Sequence, residues 1–181
     1  MITGRLCNNN RCWLSVLSLL MSGLALGQGA GSYHPAAMMS ESDHAFVHEA
    51  AASGNLEIQM SRIAALRANS DRVRQFAIDL VEDHSNARRK LKEIAWSKNI
   101  DISDALDAGR AQRLSTLLRY TGDAFDREYL TLQVDQHRRM VRLFQERAQK
   151  SLIDELRGFA QSKLPALEAH LKLAQTLADS R

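Results

Sequence analysis

The chain has 181 residues, 45% of them apolar and 25% charged, with a formal net charge of +3 and a pI of 9.1. The basic bias is shallow: without the first 27 residues, Arg5 and Arg11 go, 24 basic and 21 acidic side chains become 22 and 21, and the net is +1. That balance gives no electrostatic case for nucleic acid. Both cysteines, Cys7 and Cys12, lie in the same leading stretch, so the remainder of the chain excludes disulfides and thiol chemistry.

Residues 1–27 read as a secretory signal peptide. Arg5 and Arg11 form the basic start, and Trp13 to Leu26 is apolar and uncharged. This run is shorter than the roughly 20 residues a transmembrane helix needs. Small residues at Ala25 and Gly27 set cleavage after Gly27, with Ala30 as the alternative. No cysteine comes after the apolar run, so a lipid anchor is not expected. The expected location is the periplasm, with no transmembrane segment in the mature chain. Residues 28–40, Q-G-A-G-S-Y-H-P-A-A-M-M-S, read as a flexible leader.

From there the chain is all-α. Glycine is sparse and β-branched runs are absent. A first helix runs from about Asp43 to Arg67, capped by Ser40 or Ser42. A second starts after the cap Ser70 and reaches about Lys98. The break N-I-D-I-S-D precedes a short helix from about Ala105 to Arg119, which T-G-D ends. A third long helix covers about Asp123 to Lys150, and a fourth about Ile153 to Ala178. Pro165 inside the fourth removes one backbone hydrogen bond and is expected to bend it. Four helices of about 25 residues span roughly 37 Å each. Short joints between them predict a ferritin-like antiparallel four-helix bundle over residues 41–178, with an extra helix between the second and third. R-Q-F-A from Arg74 and R-G-F-A from Arg157 suggest two related hairpins. In the second and third helices, Phe76 and Tyr129, Val81 and Val134, and Leu91 and Phe144 each keep one offset from a histidine.

Those histidines interrupt apolar seams. Val73, Ala77, Leu80, Ala87, Leu91 and Ile94 recur at steps of three and four, and His84 stands where an apolar residue is due. His137 does the same in the row Leu130, Val134, Val141, Phe144, Ala148. His170 borders the seam Leu156, Ala160, Leu164, Leu167, Leu171, Ala174. The first helix offers Glu57 in a row of small residues, Val47, Ala50, Gly54, Ser61 and Ala64. A polar group in each of four inward faces costs a few kcal/mol unless it finds a partner. The candidate site is therefore Glu57, His84, His137 and His170. Three imidazoles and a carboxylate suit one transition metal ion such as Zn, Fe, Cu or Mn. A buried His–Glu hydrogen-bond network without metal satisfies the same groups.

A di-iron centre does not fit. Such bundles use Glu-x-x-His, because positions three apart share a helix face. Here Glu82, Asp135 and Glu168 precede their histidines by two, which is about 200° around the helix. His44 with His48, and His34 with Met38 and Met39, are weaker metal-binding patterns. Trp96 and the phenylalanines read as core. No G-x-S-x-G, H-E-x-x-H or phosphate loop occurs, so no enzymatic assignment is made.

Four segments in order carry a resemblance: D-H-A-F-V-H-E-A-A-A-S-G-N-L-E-I, V-R-Q-F-A-I-D-L-V-E-D-H-S, G-D-A-F-D-R-E-Y-L-T-L-Q-V-D-Q-H and L-P-A-L-E-A-H-L-K-L-A. Together they resemble an uncharacterised ferritin-like family of exported bacterial proteins, often labelled "predicted outer membrane protein". The resemblance implies a ferritin-like bundle in the cell envelope and no established activity. It matches recurring family residues to Glu57, His84, His137 and His170, and to the acids Asp83 and Asp126. The outer-membrane label gains nothing from the sequence, which lacks alternating barrel strands. Three functions remain open. One is a periplasmic protein binding one transition metal, or a small ligand, in its core. The second is a metal-free structural or stress-related envelope protein that meets a protein partner. The third, an enzyme using the four residues as a redox or hydrolytic site, needs an open coordination position and a substrate path that nothing in the sequence identifies.

Overall fold

The computed structural model describes residues 38–180. The segment read as a signal peptide, most of the leader and His34 lie outside the described residues. The helices, in chain order, are α1 (Glu41–Arg67), α2 (Asp71–Ser97), α3 (Ala108–Leu117), α4 (Gly122–Lys150) and α5 (Asp154–Asp179). None is long and apolar enough to cross a membrane.

Local chemistry sets the helix ends. Ser40 caps α1, its hydroxyl accepting from the Asp43 amide at 3.1 Å. Ser70 occupies the cap position of α2 but makes no side-chain cap bond. The Asp126 carboxylate, from α4, takes that role. It accepts from the Asn69 and Ser70 amides at 3.0 and 2.8 Å. At the far end of α2, Asn99 adopts φ 58° and the Ile100 amide reaches back to Ala95 O at 2.9 Å. The Asn99 amide bonds Trp96 O, and Ile100 is buried, which is a Schellman stop. Asp107 caps α3 by accepting from the Arg110 amide, so α3 begins three residues later than the sequence suggests. Through Pro165, which faces solvent, α5 continues.

Contacts fix the directions. Between α1 and α4, Arg147 meets Asp43, Phe144 meets Phe46 and Tyr129 meets Ser61, so the two run antiparallel. Between α2 and α5, His170 meets Asp83 and Glu155 meets Lys98, again antiparallel. Joints of three residues make α1–α2 and α4–α5 antiparallel hairpins. It follows that α2 and α4 run in the same direction across the bundle. Phe76 faces Tyr129 and His84 faces His137 at one constant offset. Parallel helices need a long connection, and the segment holding α3 supplies it. Asp104 pins this crossover to α2 through Arg88 and Lys92, while Asn55 of α1 donates to its carbonyl at 2.7 Å. The result is a four-helix bundle with a single long crossover.

The core is split in two. One apolar cluster gathers Phe46, Leu91, Met140, Phe144, Leu156 and Phe159. The other gathers Leu56, Met60, Phe76, Leu80, Phe125 and Tyr129. All five phenylalanines are buried as expected, but Trp96 is 83% exposed. It lies two residues past the inward Ile94, on the opposite side of α2. Between the two clusters, at the waist of the bundle, every long helix contributes polar side chains.

Candidate metal centre

His84 lies between Leu80 and Leu91 on α2, His137 between Leu130 and Met140 on α4, and His170 between Leu167 and Ala174 on α5. Each is thus carried to the boundary between the two clusters by the apolar residues that flank it. Their rings form a near-equilateral triangle, with centroids 5.4, 5.4 and 5.7 Å apart. One ligating nitrogen from each lies within 4.8 Å of the others. His84 and His137 are 5% and 0% exposed, and His170 is partly buried.

The outward nitrogens of His137 and His170 are tied down. His137 Nδ1 lies 3.0 Å from Gln133 O, a carbonyl that can only accept, so Nδ1 carries the proton and Nε2 presents a lone pair. His170 Nε2 lies 2.9 Å from the Asp83 carboxylate, which likewise fixes its proton there. Its other nitrogen, Nδ1, is buried and makes no hydrogen bond. His84 Nε2 lies 3.4 Å from His137 Nε2. Two nitrogens about 2.05 Å from one tetrahedral ion would sit about 3.3 Å apart. Oriented imidazoles with carbonyl and carboxylate backing are the usual surroundings of metal-ligating histidine.

Protonation agrees with this role. Burial, then the two neighbouring imidazoles, hold His84 well below its ordinary value. Burial, with His170 beside it, pulls His137 down to about 3. Burial also lowers His170, against the pull of Asp83. All three are neutral at pH 7, the form that binds metal.

Glu57 stands apart. It is fully buried but does not belong to the histidine cluster. It faces the Gln133 carboxamide, one turn before His137 on α4. Neither carboxylate oxygen, and neither end of that carboxamide, makes a hydrogen bond. Burial pushes the Glu57 carboxyl up to about 8, against the pull of Gln133 and the charge of Arg139. Ser61 and Tyr129, joined by a 2.9 Å hydrogen bond, extend the polar layer along α1 and α4. Burial drives the Tyr129 phenol well above its ordinary range. The acids Glu82, Asp135 and Glu168 face solvent, as their spacing predicts. His44 and His48 are exposed.

The family described as Domain of unknown function (DUF4142) matches residues 28–177. The chain belongs to DUF4142. No curated protein and no solved structure matches it. The match covers α1, α2 and α4 entire, α5 up to residue 177 and the histidine cluster, so the waist lies wholly within the DUF4142 domain. Fold and family together leave the chemistry to the site itself.

Sequence reasoning missed Gln133 and Gln136, both buried, and the use of Asp83 as the partner of His170. Gln133 was findable: it stands four residues before His137, on the same face. Asp83 was not, because its contact lies 87 residues away on another helix.

Proposed function

We propose that this DUF4142 protein is a periplasmic binder of one first-row transition metal ion, held at the bundle waist by His84 Nε2, His137 Nε2 and His170 Nδ1. One observation supports it above the rest. The non-ligating nitrogens of His137 and His170 are already occupied by Gln133 O and Asp83, and the inward nitrogen of His170 is left without a partner. Three neutral imidazoles suit Zn, Cu, Fe or Mn, in a set that leaves a coordination position open. Glu57, protonated at neutral pH, is a candidate fourth ligand only if metal binding draws out its proton and moves the side chain.

The test is elemental analysis of mature protein purified from periplasm without affinity tag or chelator. About one equivalent of a single metal is expected, and none after His84 and His137 are both changed to Ala. Absence of metal in the unaltered protein, even after Zn, Cu, Fe and Mn are offered, would overturn the proposal. A second reading rests on the 3.4 Å approach of His84 to His137, which a direct imidazole–imidazole hydrogen bond also explains. That metal-free envelope protein would show altered Tm in the double variant and metal content near zero in both forms.

A further inference from the structure

A chamber of about 40 Å³ opens beside the histidines, with His84 and His170 in its wall. A water molecule needs roughly 10–15 Å³ of such space, so two or three heavy atoms fit. Leu91, Met140, Phe144 and Phe159 line the rest, so the walls are apolar. Gly54 of α1 also faces the chamber, and a Cβ built there would meet nothing within 4 Å. The missing side chain is what keeps the space open. Asp83, Arg88 and Lys163 complete the polar part of the lining. Asp83 is engaged by His170 and Arg88 by Asp104, while Lys163 makes no ion pair among the described residues.

Charge decides what belongs there. A dication held by three neutral imidazoles brings two positive charges into an apolar core, and the half-exposed Asp83 carboxylate behind His170 offsets at most one of them, which is costly without a further counter-charge. The buried acid of the waist, Glu57, stands outside the histidine cluster and lines no wall of the chamber. Resting on the metal-binding reading, we propose that the chamber is the site of a small exogenous anion of two or three heavy atoms, the class of azide, cyanate and superoxide. It would coordinate the metal end-on and lie along the apolar walls, with the Lys163 ammonium drawing it in.

Azide titrated into the cobalt(II)-loaded mature protein tests this, because the visible bands of cobalt report a change of ligand. Elemental analysis runs in parallel on every sample. A saturable one-to-one spectral change is expected in the unaltered protein. Gly54→Leu and Ala87→Met fill the chamber from α1 and α2. Each should keep its equivalent of cobalt and weaken azide binding at least tenfold. Lys163→Gln should weaken it severalfold with cobalt unchanged. If neither cobalt nor any of Zn, Cu, Fe and Mn binds the unaltered protein, the metal reading falls and this one with it. If cobalt binds but azide leaves the spectrum unmoved, only the anion site falls. Azide affinity unchanged in both filling variants, at full cobalt content, would likewise overturn it.

Discussion

Two aspartates show how one carboxylate can serve structure and another the site. Asp83 is more than half exposed, and its carboxylate holds His170 Nε2. Changing it to Asn removes the charge that orients the ring. Loss of such a partner typically weakens a metal site 10–100-fold. We expect that loss in a competition titration with a chelator, with the metal-free Tm nearly unchanged, since exposed substitutions rarely move stability by more than about 0.5 kcal/mol. Equal metal affinity in Asp83→Asn would show that His170 does not ligate through Nδ1. Asp126 is the opposite case. It is fully buried and accepts two backbone amides at the start of α2. Its replacement by Ala strands both donors and should cost about 3 kcal/mol. Thermal unfolding of the metal-free protein reads that loss directly. Both acids were visible as motif residues, but their partners lie on other helices, and linear spacing carries no such information.

At the scale of the element, the helices were legible because their apolar rows are long and regular. Histidine was conspicuous for breaking those rows at His84 and His137. Trp96 was misplaced for an equally simple reason: aromatic character suggested burial, but its angular position on α2 did not. The single level shared by three histidines depends on the register of α2, α4 and α5, which only packing fixes. Within α1, Gly54 is the informative residue. A glycine in mid-helix costs about 0.5–1 kcal/mol relative to alanine, and here nothing crowds the position. Gly54→Ala should therefore raise the Tm of the metal-free protein, by about 0.5–1 kcal/mol of stability. A lowered Tm would mean that the neighbouring helices close over the site more tightly than the open space beside Gly54 indicates.

The whole molecule carries two opposed pH dependences at its waist. The histidines are depressed in the fold, His137 to about 3, against an ordinary value of 6.5. Their contribution is present above about pH 6.5 and is lost as pH falls toward 3, because the unfolded chain then binds protons that the fold excludes. Glu57 is raised to about 8 from 4.5. Its contribution is present below about pH 4.5 and is lost as pH rises through 8, because the fold holds a proton that the unfolded chain has released. Each group, where its two states differ by a full proton, tilts stability by about 1.4 kcal/mol per pH unit. Three histidines outweigh one carboxyl until the unfolded imidazoles lose their protons, so metal-free protein should be most stable at about pH 6.5–7. Glu57→Gln keeps the shape of the side chain and removes its titration. Thermal unfolding of chelator-treated protein across about pH 4 to 9 should then lose the alkaline fall and keep the acid one. A wild-type Tm that stays level from about pH 7 to 9 would mean that Glu57 is not held protonated. The Gln133 carboxamide and the Arg139 charge, which already pull its pKa down, would then be stabilising the carboxylate.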